Sequence, residues 1–189
     1  MVVAENENAI ANLLRAFENE MNANARYKAF ARKAEVERLP GAASLFRAAA
    51  RAEQIHANNH ARVIRHMGGE AKATLHPVRV QSTLENLKAA LSGELREIDS
   101  LYPAFLNEAI SNLDTTAVRT LLWAMESEKS HARLYGDAVT LMEQGNSDGW
   151  THSDIDFYVC TLCGYTAGTV EADNCPACNF LWERFEVVH

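Results

Sequence analysis

The chain has 189 residues, enough for one helical bundle and a small appended unit. Acidic side chains outnumber basic ones 25 to 18 and no basic stripe appears, so nucleic acid is not an expected partner. Met1-Val2-Val3-Ala4-Glu5-Asn6-Glu7 lacks the positive start and apolar run of a signal peptide, and no stretch approaches the roughly 18 apolar residues that span a bilayer. A soluble cytoplasmic protein without a membrane partner is expected.

Residues 5 to about 38 carry Ile10, Leu13, Phe17, Glu20, Asn24, Tyr27, Ala31 and Ala34 at helical spacing. Glu20 lies on that seam, whereas Glu18, about 200° away, is expected to face water. A second helix opens at Pro40 and closes at Gly68-Gly69, with the seam Phe46, Ala49, Glu53, His56, His60, Val63, Met67. About a dozen residues with Pro77 follow, a length that fits a crossover between parallel neighbours. Ser82-x-x-Glu85 is a capping box for the third helix, whose seam is Leu84, Leu87, Leu91, Glu94, Ile98, Leu101, Phe105. Glu97 lies one turn beyond Glu94, and Pro103 is expected to kink or locally widen this helix. Asp114 can cap the fourth helix, which carries Val118, Leu121, Met125, Glu128, Ala132, Tyr135, Val139 and Met142 and stops at Gly145.

Residues 146–156 are polar and read as a linker between a bundle, 1–145, and a terminal unit, 157–189. That unit is too short for its own core without a metal. Phe157-Tyr158-Val159 and Phe185-Glu186-Val187-Val188 read as short strands. All four cysteines lie here, Cys160 with Cys163 and Cys175 with Cys178, the two pairs eleven residues apart. Such clustering without a secretion signal indicates a metal in a reducing compartment, and an all-sulfur tetrahedral set takes iron or zinc.

Glu53-Gln54-Ile55-His56 and Glu128-Lys129-Ser130-His131 are twins. Residues three apart share a helix face, so each twin offers a carboxylate and an imidazole to one point. A glutamate in mid-seam faces an apolar interior, where an unpaired carboxylate is very costly, so a cation is expected there. Two inward Glu-x-x-His motifs with a further Glu from each of two other helices form the ligand set of carboxylate-bridged di-iron bundles. An interval of 75 residues relates Glu53 to Glu128, His56 to His131 and Tyr27 to Tyr102, and 74 relates Glu20 to Glu94. The bundle therefore reads as two helix pairs, each giving half a site. Glu97 breaks the repeat, because its counterpart is Asn22.

The candidate ligands are Glu20, Glu53, Glu94, Glu97 and Glu128 with His56 and His131. Oxygen donors with one imidazole per metal suit iron or manganese better than zinc. Two ferrous ions bring four positive charges against five carboxylates, and two ferric ions with a bridging oxide bring the same four. The buried charge would therefore stay nearly constant through two-electron chemistry.

With Glu20 and Arg26-Tyr27, Glu53-x-x-His56, Glu94-x-x-Glu97-x-x-x-x-Tyr102-Pro103, Glu128-x-x-His131, Cys160-x-x-Cys163-Gly164-Tyr165 and Cys175-Pro176-x-Cys178, the chain resembles the rubrerythrins along nearly all its length. The resemblance implies a mainly α fold, a ferritin-like four-helix bundle followed by a small rubredoxin-like β domain. It implies two irons in an oxo- and carboxylate-bridged site, and one iron among Cys160, Cys163, Cys175 and Cys178, where zinc is also possible. It further implies a peroxidase reducing hydrogen peroxide to water in oxidative-stress defence. Its electrons would come from an external reductase or rubredoxin through the cysteine-bound iron. A homodimer or larger assembly with transfer between subunits is expected.

By that resemblance Glu97 and His56 would be alternative ligands to one iron, with Tyr27 and Tyr102 donating hydrogen bonds to ligand carboxylates. The tyrosines read equally as plain core aromatics, and His60 as a core or rim histidine or as a second contact to the ligands. His66, His76, His152 and His189 are expected in water, and Trp123, Trp150 and Trp182 in packing. Two other functions compete: a ferroxidase or iron-handling bundle using oxygen, and a non-enzymatic metal-binding protein with structural zinc. A built-in electron relay favours the peroxidase, since a ferroxidase draws electrons from its iron substrate.

Overall fold

The computed structural model describes residues 2–112, 114–145, 154–170 and 173–189, with side chains from residue 10 onward. The helices are α1 (Val2–Val36), α2 (Pro40–His66), α3 (Thr83–Arg96), α4 (Tyr102–Ser111) and α5 (Thr115–Glu143). A π-helical turn, Glu97–Leu101, joins α3 to α4, so together they form one interrupted bundle helix. The expected capping box is formed: Ser82 Oγ accepts from Glu85 N–H, and Glu85 returns a carboxylate to Ser82 N–H. Asp114 caps α5 by accepting from Thr116 and Ala117 N–H. Pro103, within the first two residues of α4, has no N–H for an α-helical bond to the preceding turn, and the helix widens just before it.

The long connection crosses the whole bundle. Gly69 sits against Ile10 and Ile64. Thr74 N–H donates to Glu18 at 2.9 Å, and His76 N–H to Asn22 Oδ1 at 2.8 Å. Thr83 N–H donates to Glu37 at 2.8 Å. The connection thus follows α1 from residue 10 to residue 37, about 40 Å at 1.5 Å per residue, so α3 starts at the end of the bundle opposite to where α2 finishes. The parallel crossover expected from its length is formed. Glu18, expected in water, is half-buried because it holds this segment. Asn22, the residue that breaks the repeat, holds it too.

Two apolar clusters fill the bundle. One gathers Tyr27, Phe30, Phe46, Leu87 and Tyr135, the other Leu13, Ile64, Tyr102, Phe105 and Leu121. On α1, on α3 continued by α4, and on α5 the candidate ligands fall between the stretches that feed these clusters, and on α2 they fall where the first cluster ends, around Ile55. Each fully buried large apolar side chain contributes about 1.5–3 kcal/mol, and together they offset the burial of the acidic layer between them.

Residues 146–153, most of the expected linker together with Trp150 and His152, lie outside the described residues. Asp154–Asp156 has no regular structure and leads into β1 (Phe157–Cys160). This strand lies between β2 (Thr166–Ala167) and β3 (Phe185–Val188), antiparallel to both. Cys160 pairs with Phe185, and Tyr158 with Ala167 on one side and Val187 on the other. The two expected strands are present. β2 escapes a sequence reading because two residues carry no alternation. Phe157 and Val159 pack into the same cluster as Phe46 and Ala49, so the terminal unit rests on the bundle.

Candidate metal centre

Glu20 comes from α1, Glu53 and His56 from α2, Glu94 from α3, and Glu128 and His131 from α5. Each is at most 1% exposed. Donor atoms of Glu20, Glu53, His56 and Glu128 lie within 4.8 Å of one another, as do those of Glu53, Glu94, Glu128 and His131. Glu53 and Glu128 belong to both groups. Glu128 turns Oε1 to His56 Nδ1 at 3.0 Å and Oε2 to His131 Nδ1 at 2.7 Å. Glu53 does the reverse, with Oε2 at 2.9 Å from His56 Nδ1 and Oε1 at 3.7 Å from His131 Nδ1. Glu20 Oε2 stands 3.6 Å from His56 Nδ1, and Glu94 Oε2 4.0 Å from His131 Nδ1. Two adjacent positions therefore share two carboxylates, and each has one carboxylate and one imidazole of its own.

The electrostatics fit a pair of cations. Burial, then neighbouring carboxylates, push Glu53 and Glu94 well above the usual carboxylate range. Burial would also raise Glu20, but contacts with His56 and His60 hold it well below. Burial depresses His131 to about 4. Glu20 Oε2 and Glu128 Oε1 are buried and accept no well-directed hydrogen bond among the described residues. Carboxylates crowded in this way need positive charge in their midst.

Glu97 departs from the expected set. It is buried, at 6% exposure, but belongs to neither four-residue group. Burial, then Glu20, raise its carboxyl well above the usual range, and Arg26 opposes the rise. His56 occupies the position beside Glu20, and Glu97 opens the π turn that follows α3.

The tyrosines make the expected contacts: Tyr27 donates to Glu94 Oε1 and Tyr102 to Glu20 Oε1. His60 is more than a core histidine. Fully buried, it places Nε2 3.4 Å from the Tyr102 hydroxyl and 3.8 Å from Glu20 Oε1, while Thr120 Oγ1 meets its Nδ1 at 3.1 Å. Asn24, buried on the first seam, donates to Ala50 C=O and so fastens α1 to α2. His66, His76 and His189 are exposed, as expected. Trp123 packs beside the cysteine cluster, and Trp182 stacks on Phe185 at 3.8 Å.

The four cysteines converge with all sulfurs within 4.8 Å, Cys160 and Cys178 at 3.6 Å and Cys163 and Cys175 at 3.5 Å. They sit in two matching knuckles. Gly164 N–H donates to Cys160 C=O and Asn179 N–H to Cys175 C=O, each at 2.9 Å, with positive φ at Gly164 (86°) and Asn179 (61°). The first knuckle lies directly on the bundle centre. A Cβ at residue 164 would stand 2.8 Å from His56 Cδ2 and 3.2 Å from Ala52 C=O, so only glycine permits this approach. Asn59 donates to Leu162 C=O at 2.8 Å, and Arg51 pairs with Glu186 at the edge. The chain's own terminal unit makes this contact within one chain, and an eleven-residue linker is long enough for that return.

Sequence reasoning also missed Ser130 and Thr166, which join the knuckle to the helix carrying His131. A single Ser or Thr carries no signal until the elements around it are packed.

Comparison with known proteins gives a consistent result. The rubrerythrin family model matches residues 11–139. Rubrerythrin-2 of Clostridium acetobutylicum is 33% identical over 175 residues, covering 90% of this chain and 91% of that protein. Nigerythrin of Nitratidesulfovibrio vulgaris is 31% identical over 182 residues, covering 94% and 87%. A solved structure of nigerythrin in its fully reduced, all-ferrous state superposes with a TM-score of 0.84 at 29% identity, covering 95% of this chain and 86% of that one. A Desulfovibrio desulfuricans bacterioferritin shares the ferritin-like fold, with a TM-score of 0.73 at 19% identity, covering 82% and 92%. The cofactors are accordingly a pair of irons among the bundle's carboxylates and histidines and a further metal among four cysteines. From its motifs, its two-metal layer and these relatives, the chain belongs to the rubrerythrin family.

Proposed function

We propose that the chain is a peroxidase that reduces hydrogen peroxide to two waters, with electrons entering through iron held by Cys160, Cys163, Cys175 and Cys178. One observation carries the reading: the Cys163-Gly164 knuckle lies against His56, so the sulfur site adjoins the bundle centre with no intervening layer. A ferroxidase needs no such junction, and structural zinc needs no contact with the carboxylates.

Two irons held by Glu20, Glu53, His56, Glu94, Glu128 and His131 would supply the two electrons that break the peroxide O–O bond. The protein's own groups do the rest. Glu53 and Glu128 belong to both donor groups and would hold both metals, each turning one oxygen toward His56 and the other toward His131. Tyr27 and Tyr102 orient Glu94 and Glu20 by hydrogen bonds and keep those carboxylates from swinging. The apolar clusters above and below exclude bulk water. Glu97 would be the reserve carboxylate: a hard anionic donor would suit a ferric ion and the neutral imidazole of His56 a ferrous one, so the two residues would be alternative holders of one metal.

In this reading residues 1–145 are the catalytic bundle and 157–189 the electron-delivery unit. A reductase or rubredoxin supplies the electrons, and a reducing cytoplasm suits the four free cysteines. The protein acts as a homodimer or larger assembly. Mixing chains lacking the cysteine site with chains lacking the bundle site restores turnover only if subunits share the knuckle contact. The function itself is tested by titrating anaerobically reduced protein with hydrogen peroxide and following visible absorption. One peroxide should oxidise each two-iron site; oxidation by oxygen alone would favour the ferroxidase.

A further inference from the structure

Resting on the di-iron reading, we infer that Thr166 is a positioning residue of the bundle site, its hydroxyl fixing His131 with the proton on Nε2 and the free lone pair of Nδ1 turned to the metal. The terminal unit then does more than deliver electrons: it completes the outer contacts of a ligand on α5.

The hydrogen-bond directions follow from the donors present. Thr166 is wholly buried, and its hydroxyl proton is committed to Gly164 C=O at 3.0 Å. The same oxygen stands 3.1 Å from His131 Nε2 and can only accept there. Nε2 therefore carries the proton, and Nδ1, 2.7 Å from Glu128 Oε2, is left as the donor atom on the metal side. The backbone is fastened as well: Thr166 N–H donates to Ser130 Oγ at 3.2 Å, and Ser130 donates to Ser127 C=O at 2.7 Å. Residue 166 thus grips α5 at His131 and at the residue before it.

The two imidazoles are treated differently. His56 Nε2 is buried without a hydrogen-bond partner among the described residues and lies against Gly164, on the side where a Cβ would stand. One ligand histidine is held from outside and the other is not. The unheld one is His56, which the proposed exchange with Glu97 requires to move. Outer hydrogen bonds to a ligand imidazole set its tautomer, its orientation and its basicity as a ligand.

The test reads proton NMR of the full chain loaded anaerobically with ferrous iron, where imidazole N–H protons of ligand histidines are shifted out of the ordinary envelope. Two such resonances are expected, from His56 and His131. In Thr166→Val one of them should move and exchange with solvent roughly tenfold faster, the scale of one lost buried hydrogen bond. Thr166→Ser, which keeps the hydroxyl and drops only the methyl, should match the parent chain. Two unchanged resonances in Thr166→Val overturn the proposal, and so does equal acceleration in the Ser and Val variants, which would assign the effect to packing. Turnover is measured separately on the same chains. A chain that shows this pattern but fails to reduce peroxide removes the peroxidase reading alone, whereas unchanged resonances beside normal turnover remove only the role of Thr166.

Discussion

Tyr27 and Tyr102 hold equivalent places in the two halves of the bundle, and each donates its hydroxyl to the carboxylate of the other half, Tyr27 to Glu94 and Tyr102 to Glu20. The halves are thereby tied across the site. Their partners differ: Tyr27 packs on Tyr135, ring centroids 5.6 Å apart, and Tyr102 on His60 at 6.3 Å. His60 and Tyr135 are themselves 75 residues apart, so one half has a histidine where the other has a phenol.

Each tyrosine should therefore act on the metal position of the opposite half. Tyr27→Phe is expected to loosen the iron beside Glu94, and Tyr102→Phe the iron beside Glu20, each by about 10–100-fold in affinity. Competitive chelation followed by iron analysis measures it. Equal, small effects on both positions would show the hydroxyls to be ordinary core groups.

Removing both shared carboxylates should empty the bundle. In a Glu53→Ala, Glu128→Ala chain, metal analysis is expected to find the bundle irons lost and the cysteine-bound metal retained. Retention of two irons in that chain would refute the bridging assignment.

Electron entry can be cut at the sulfurs or at the junction. Cys163→Ser or Cys178→Ser should leave one turnover of a pre-reduced bundle intact and stop sustained turnover by an external reductase. Gly164→Ala should have a related effect with every metal still bound. Its Cβ collides with His56 and Ala52, and its backbone is held at φ 86°, where a side chain costs about 1–2 kcal/mol. Undiminished steady-state rates without the cysteine-bound iron would end the relay.

Glu97→Ala should still bind two ferrous ions, because His56 already stands in the group with Glu20. It should reduce peroxide much more slowly or stall after one cycle. Structures of the oxidised and reduced protein with identical ligands would reject the exchange, and parental rates in Glu97→Ala would remove any role for the residue.

The ligand layer was legible because a glutamate in an apolar seam is a local contradiction with few resolutions. Glu20, Glu53, Glu94 and Glu128 all announced themselves in this way. Caps and helix ends were equally readable, since Ser82, Asp114 and Gly145 act within one turn of themselves. What escaped depends on elements meeting. Glu18 looked solvent-facing on its own helix, and only the crossover gives it Thr74 to bind. Thr166 is unremarkable along the chain and gains its role from His131, 35 residues away, while His60 allowed two readings until Tyr102, 42 residues away, decided between them. The side that the terminal unit would occupy followed from linker length alone, and length permits more than one answer.

The widened turn at Glu97–Leu101 also settles an arithmetic oddity in the repeat. Glu20 and Glu94 are separated by 74 residues but Tyr27 and Tyr102 by 75, so the second half holds one more residue between its carboxylate and its tyrosine. A π turn absorbs one extra residue without changing the direction of the helix. It acts as a phase corrector. Deleting one residue there would restore ordinary pitch but turn everything downstream by about 100°. Tyr102 would swing away from Glu20, Phe105 would leave its cluster, and the two halves would fall out of step while every ligand remained in the chain.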